Sequence, residues 1–376
     1  MPIEKPIGLE VVKMCEAFAR AGLKVNLVCP WKFNPLKEDP FKYYNIERNF
    51  RIKKLPHFDP VPLDKFLGPL ASWLGSLEFS FVSFLHLVFT GSLKSDIVFF
   101  SHDHFSLFLP SFFSKNVFYE IHDFPRLKSF VHNFFWQRLF KNLNGFIVTN
   151  SWKKQELEKI FGINSKQILV CPNGIDPKDF EIKETKEECR KKLGLSLDKK
   201  IVLYTGHLFS WKGADNLAQA SQYLSEGVEI YFVGGMKEDI KKFKITNSRF
   251  NIRMVDHRPH SEIPYWLKAA DILVLPNTAK EDISKYWTSP MKMFEYMASK
   301  KPIIASDLPS IREILNENNA VLVKPDSPEA LARSIKEILQ NPQLFDKITW
   351  QAFQDIQGYT WQKRAEKITE FINKSL

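Results

Sequence analysis

Short apolar runs alternate along this chain with longer stretches of helical period, and this alternation limits the fold more than any other feature of the sequence. Candidate strands are 25–29, 51–55, 96–100, 116–121 and 145–148, then 168–171, 201–205, 229–233, 251–255, 272–275, 302–305 and 321–323. Helical patterns occupy 9–21, 152–161, 214–223, 263–269, 291–297, 311–315, 328–339 and 361–376. Apolar strands separated by helices predict an α/β fold with parallel sheets covered on both faces. Single cores stop growing near roughly 250–300 residues, so 376 residues predict two domains. We place the boundary near residue 165, giving domains 1–165 and 166–355 and a C-terminal helix in 356–376, with 168–171 opening the second sheet. The start is unusual. A doubly wound domain opens on a central strand, yet helix 9–21 is preceded only by residues 1–8, where Pro2 and Pro6 disfavour one. The first strand of the N-terminal domain is therefore expected to be missing, with the true start upstream.

The net charge is +10, and residues 1–165 hold 21 basic against 15 acidic side chains. A basic surface suits anionic partners such as nucleotides or membrane lipid. Cys15, Cys29, Cys171 and Cys189 are scattered without C-x-x-C or metal spacing, as in a reduced, cytoplasmic protein. No signal peptide is expected at the start. In 66–89, Leu70, Leu74, Leu77, Phe81, Phe84 and Val88 share one helical face, and Ser72, Ser76, Ser80 and Ser83 the other. This two-faced pattern predicts a core helix. The alternatives are a helix lying on a membrane surface or a true span, to which Glu78 and His86 are poorly suited.

Three segments carry candidate chemistry. In 201–223 an apolar strand runs into Gly206, then a loop with His207, then Lys212-Gly213 and a helix. A cation in the first turn of a helix is unfavourable by about 0.3–1 kcal/mol unless an anion is bound there. In 288–305 Ser289 reads as a helix cap and Pro290 as the first helical residue, followed by Met291. Lys292 is then a second cation at a helix start, with Glu295 one turn on. Ordinary alternatives are a solvated loop lysine and a surface i,i+3 ion pair. One diphosphate shared between Lys212 and Lys292 would account for both. In 116–125 a strand ends in Glu120, His122 and Asp123, and a similar strand end carries His102, Asp103 and His104. Ligands bind at such carboxyl ends, so His122 is a candidate partner of a sugar hydroxyl or activator of an acceptor. Satisfied structural side chains are the alternative. No D-x-D, G-x-G-x-x-G, P-loop or G-x-S-x-G motif occurs, which argues against a bridging metal, a redox dinucleotide and an esterase elbow.

Together these residues resemble the family 4 retaining glycosyltransferases of the GT-B fold. The resemblance is carried by Pro172-Asn173-Gly174-Ile175-Asp176, by Gly206 to Lys212-Gly213, by His260-Ser261-Glu262-Ile263-Pro264 ahead of Ala270-Asp271-Ile272, and most strongly by Ser289 to Ala298, continuing through Pro302 to Glu313. It implies two Rossmann-like domains facing across a cleft, a donor in the second domain, an acceptor in the first, and a last helix crossing back to the first. It further implies diphosphate binding by Gly206, His207, Lys212, Ser289, Pro290, Met291 and Lys292, and nucleoside binding by Glu295, Arg258 and Ile263. Acceptor contacts are implied at Gly8, Asp103 and Asp123, with His122, Lys212 and Glu295 in catalytic roles. The donor would be a UDP-, GDP- or ADP-sugar and the acceptor a glycan, polysaccharide or lipid-linked hydroxyl. No metal or other cofactor, and no nucleic acid partner, is implied. Such enzymes are cytoplasmic, some peripheral at the inner face of an anionic membrane. Four positions depart from the pattern: Trp287 replaces a sugar-contacting glutamate, His207 an arginine, Lys300 a glycine that commonly ends the helix, and Gly8 is what remains of a glycine-rich loop. A non-catalytic nucleotide-sugar-binding protein and a sugar-nucleotide epimerase of the same fold are the rival readings.

Overall fold

The computed structural model describes residues 1–3, 6–32, 36–58, 68–94, 96–122, 124 and 130–376. Asp123 lies outside the described residues. The strands are β1 (Asn26–Pro30), β2 (Arg51–Leu55), β3 (Phe99–Ser101), β4 (Val117–Ile121), β5 (Gly145–Val148), β6 (Ile168–Val170), β7 (Lys200–Thr205), β8 (Val228–Val233), β9 (Ile252–Val255), β10 (Ile272–Leu275), β11 (Ile303–Ser306) and β12 (Val321–Val323). All pair in parallel.

The chain divides into two compact units. Unit 1 is Met1–Pro172 with Trp361–Leu376, and unit 2 is Asn173–Thr360. In unit 2 the sheet order is β12-β11-β10-β7-β8-β9. This is the doubly wound arrangement, with the direction of winding reversing between β7 and β10, and ligands bind beyond the carboxyl ends at that switch point. Residues at the centre of this sheet, such as Leu203, Phe232 and Val274, are fully buried between two apolar clusters, one on each face.

In unit 1 the described strands form two sheets, β1-β2 and β3-β4-β5-β6. The sequence reading assigned 168–171 to the second sheet. The structure corrects this: β6 pairs with β5, Phe146 opposite Ile168, and closes the edge of the first sheet. A three-residue apolar strand carries no information about which sheet it joins. The division between units accordingly falls at Pro172, later than residue 165. The final helix, Trp361–Ser375, packs along the helix Pro6–Arg20 in unit 1. The helix expected over 311–315 is instead Pro309–Arg312.

The reading of 66–89 as a core helix is overturned. The described helix is Pro69–Phe89, and it buries Ala71, Gly75, Ser80 and Ser83 while Leu70, Leu74, Leu77, Phe81 and Val88 stand 45–55% exposed. Small side chains let this helix approach the His104–Phe108 helix closely, and the large apolar side chains are left on the outside. Amphipathic period identified the two faces but not which of them packs.

Candidate functional site

The switch point of unit 2 collects the predicted donor residues. Beyond β7, Gly206 adopts φ +110°, which L side chains rarely adopt, and its N–H donates to Val233 O at 2.8 Å. The loop is fixed from below by Tyr204, whose hydroxyl donates to His207 O at 2.6 Å. His207 stacks on Phe209 with centroids 5.1 Å apart. Burial and the nearby Lys212 push the His207 pKa down to about 4, so the ring is neutral at physiological pH.

Lys212 was expected in the first turn of a helix. It instead ends a short 3₁₀ turn, Ser210–Lys212, and precedes Gly213, the N-cap of the seven-residue helix Ala214–Ala220. Its ammonium lies 5.1 Å from the Trp211 ring centroid and 5.5 Å from that of Phe209. Burial lowers its pKa to about 8, opposed by the charge of Glu295. Gly213 has φ +65°, and a Cβ there would run into Pro276 O at the end of β10. The turn carrying Lys212 is thus seated directly on the neighbouring strand. Gly213→Ala is expected to cost about 1–3 kcal/mol of stability through backbone strain and this collision; a thermal unfolding midpoint equal to wild type would contradict it.

The second lysine is on the helix Met291–Ala298. The expected cap is corrected here as well. Pro290 is the N-cap, Ser289 makes no side-chain capping bond, and Lys292 is the second helical residue. Proline has no side-chain acceptor, so this helix start has no side-chain cap, and the Ser289 hydroxyl finds no hydrogen-bond partner among the described residues. Ser289 is held through its backbone, its O accepting from Asn173 Nδ2 at 2.9 Å. Tyr296 anchors the helix to β7, its hydroxyl accepting the Thr205 N–H at 2.8 Å. Lys292 Nζ is buried 3.4 Å from the Tyr204 ring centroid and has no hydrogen-bond partner. Burial first, then the charge of Lys212, drive its pKa well below the ordinary lysine value. Glu295 is not ion-paired to it; Glu295 Oε1 lies 3.0 Å from His260 Nε2. Lys212, Lys292 and Glu295 therefore form one electrostatic cluster, with two desolvated ammonium groups whose charge invites an anion.

Two predicted nucleoside contacts are less engaged. Arg258 is exposed in the loop before His260, and Ile263 opens the helix Ile263–Ala269 and packs onto the core. Trp287 is half-buried at the end of the turn Ile283–Trp287. His260, Tyr204 and Asn173 were missed as site residues. Asn173 and His260 each left a trace in the sequence, within segments that carry the family resemblance, whereas Tyr204 was only one more apolar-run residue of β7.

In unit 1, His122 follows β4 with its ring edge-on to His102 at 5.5 Å. Its Nε2 lies 3.3 Å from Glu10 Oε1 and 3.2 Å from Glu120 Oε1. Burial opposes charge on this ring, but Glu10 and Glu120 outweigh it and raise the pKa. The upward shift favours the protonated ring, a hydrogen-bond donor, over the form that accepts a proton. Glu120 is held well below the usual carboxylate range: burial opposes this, and Arg364 and His122 overcome it. Arg364 binds Glu120 through Nη2, and its Nε donates to Pro172 O at 2.9 Å. The ligand atoms of Glu10, Glu120 and His122 lie within 4.8 Å of one another, a spacing a cation could use, but the Arg364 guanidinium already brings a positive charge to Glu120. Lys153 donates to His122 O at 2.6 Å and Ile121 O at 3.2 Å, fixing the end of β4.

The other acceptor candidates have local structural duties. Asp103 caps the His104–Phe108 helix, accepting from the N–H groups of Phe105 and Ser106. Gly8 lies inside the helix Pro6–Arg20, where a Cβ would collide with Ile3 and the Tyr44 hydroxyl.

Comparison with known proteins follows the same two-part division. Residues 10–179 match the family model described as Glycosyltransferase Family 4, and residues 185–355 the model described as Glycosyl transferases group 1. A Bacillus subtilis glycosyltransferase assigned to teichuronic acid biosynthesis is 31% identical over 183 residues, 48% of this chain and 43% of that protein. The chain spans about half the length of the curated relatives it matches. Sucrose-phosphate synthase of Thermosynechococcus elongatus superposes with a TM-score of 0.76 at 19% identity, over 98% of this chain and 93% of that one. Anabaena HepE in complex with UDP superposes with a TM-score of 0.75 at 18% identity, over 99% of this chain and 98% of that one. At such identities the likeness establishes the GT-B fold, with its two Rossmann-like domains.

Proposed function

The chain belongs to the family 4 glycosyltransferases, and from that premise we propose that it moves a sugar from a nucleoside-diphosphate donor to an acceptor hydroxyl with retention of configuration. One observation carries the reading: the Lys292 ammonium is buried without a hydrogen-bond acceptor beside a second desolvated lysine and Glu295. A diphosphate is the ligand chemistry that suits this cluster. Lys212 and Lys292 would take up the charge that develops on the departing diphosphate, in water-poor surroundings where such stabilisation is largest. Glu295, oriented by His260, would accept hydrogen bonds from the ribose hydroxyls. Retention is proposed to follow from attack by the acceptor on the face that the diphosphate leaves. His122, whose pKa is raised by Glu10 and Glu120 against the effect of burial, would donate a hydrogen bond to a hydroxyl of the transferred sugar. Because the lysines supply the cationic charge, the reaction is proposed to need no metal ion.

The acceptor is assigned to unit 1 and is proposed to be a glycan or a lipid-linked glycan. The excess of basic residues in 1–165 supports a cytoplasmic enzyme peripheral to the inner face of the membrane. Among the described residues, no helix is long and apolar enough to cross a membrane.

The test is a panel of UDP-, GDP- and ADP-sugars, assayed with EDTA present, with the anomeric configuration of the product read by NMR. Binding without turnover of any donor, or a product of inverted configuration, would overturn the proposal.

The lysine cluster also sets a pH dependence. Both ammonium groups have depressed pKa values in the free protein, Lys212 at about 8, and a bound diphosphate favours their charged forms. Binding should therefore take up protons, and donor affinity should fall as pH rises. The dissociation constant of a nucleotide sugar is expected to climb above pH ~8, by up to about tenfold per unit for each proton taken up. Calorimetry in buffers of different ionisation enthalpy reads the uptake directly. An affinity constant from pH ~6.5 to ~9.5 would contradict this assignment.

A further inference from the structure

The helix Pro69–Phe89 faces the wrong way for a helix of a solvated protein. Its packed stripe is made of alanine, glycine and serine, with the Ser80 hydroxyl donating to Phe105 O at 2.5 Å. Its other face presents Leu70, Leu74, Leu77, Phe81 and Val88 at helical spacing along about 27 Å of axis. A contiguous apolar stripe of this length is the kind of surface that docks onto something.

The surroundings indicate what. The segment from His104 to Phe113 touches both ends of the helix, Phe105 meeting Trp73 at 5.2 Å and Phe113 meeting Phe84 at 5.3 Å. Through Phe108, stacked on Phe135 at 4.8 Å, it also holds the helix Phe130–Asn142. On that helix Phe134, Arg138 and Lys141 follow at i, i+4 and i+7, all exposed, and the Arg138 guanidinium lies 5.1 Å over the Phe112 ring. Phe113 and Phe134 are each 62% exposed, and Lys115 is exposed two residues beyond Phe113. The two helices and residues 104–115 contain a single carboxylate, Glu78, and it is engaged by His57 Nδ1 at 2.6 Å. Aliphatic and aromatic side chains bordered by arginine and lysine, with almost no free negative charge, match the boundary layer of an anionic bilayer. A second copy docked face to face would oppose this basic border to itself.

We propose that this face is a membrane-docking surface: the Pro69–Phe89 helix lies in the plane of an anionic lipid surface, with Phe113 and Phe134 entering the interface and Arg138, Lys141 and Lys115 at the headgroups. This deepens the peripheral-membrane reading above and rests on it for location only; donor chemistry in unit 2 is not required.

The test is co-sedimentation of the full chain with vesicles of phosphatidylcholine, and with vesicles in which roughly a third of it is replaced by phosphatidylglycerol. Wild type is expected to bind the anionic vesicles and to release them as salt is raised. Leu77→Gln/Phe81→Gln is expected to weaken binding by about tenfold or more. Arg138→Gln/Lys141→Gln is expected to weaken it by about tenfold or more on anionic vesicles only. These side chains are exposed, so thermal unfolding and nucleotide-sugar binding should stay at wild-type values. The proposal is overturned if wild type does not sediment with anionic vesicles at low salt, or if Leu77→Gln/Phe81→Gln sediments as wild type does. It is equally overturned if wild type is a dimer that Leu77→Gln/Phe81→Gln converts to monomer, since the face is then a protein interface. Vesicle binding without any nucleotide-sugar binding would instead leave this surface standing and remove the glycosyltransferase reading.

Discussion

Lys212→Ala is expected to reduce turnover by about 10²-fold or more, the effect of deleting one strong donor to a developing oxyanion. The side chain is half-buried over Trp211 and Phe209, outside the two apolar clusters, so the variant should fold. Its removal also relieves Lys292 of a neighbouring like charge, so the remaining lysine becomes easier to protonate. Ground-state binding should therefore suffer less than turnover, and kcat should fall more than the donor Kd rises. Lys212→Arg keeps the charge but cannot reproduce a point-like ammonium in the same turn, and it should lie between the two. Donor hydrolysis and transfer at near-normal rates in Lys212→Ala would remove the proposed diphosphate site.

The second large effect is on stability. Arg364→Ala is expected to destabilise unit 1 by about 3–5 kcal/mol, because it strands the Glu120 carboxylate in a buried setting beside Glu10. For a unit of this size the shift is on the order of 10 °C in the unfolding midpoint. The sign with pH follows from the same pair. Glu120 is depressed in the folded state, so its stabilising contribution is present above the unfolded carboxyl value and fades as pH falls below it. In Arg364→Ala that contribution shrinks, and the gap between variant and wild type should narrow in acid. Replacing both partners with neutral or apolar groups, as in Glu120→Gln/Arg364→Met, should recover much of the loss. A midpoint for Arg364→Ala within a degree or two of wild type would show that the pair is relaxed by water.

Much of this molecule could be read from its residues for one physical reason. Parallel strands buried on both faces are apolar at every position, so segments such as 201–205 and 272–275 stand out from their surroundings. Lys212 and Lys292 were legible because a cation beside a helix start needs a partner, although neither sits at the helical position expected. What could not be read depends on long-range pairing. Glu10 and Arg364 meet Glu120 across 110 and 244 residues, and no local pattern announces such a contact. The same applies to Tyr204 beneath Lys292 and to His260 against Glu295. The inverted helix failed for a different reason. Period defines two faces, and convention assigns the apolar one to the core, but close approach of backbones rewards glycine, alanine and serine instead.

Because segment 361–376 belongs to the first unit, that unit is built from two separated lengths of chain, while the second, Asn173–Thr360, is continuous. During synthesis, the first unit would wait for almost two hundred later residues before its closing helix arrived, while the second could complete itself in the meantime. A fragment stopped at Pro172 would leave the face of Pro6–Arg20 uncovered and the Glu120 carboxylate without its guanidinium. Anyone seeking the isolated first unit would have to restore that helix, by fusing it through a short linker or supplying it as a peptide.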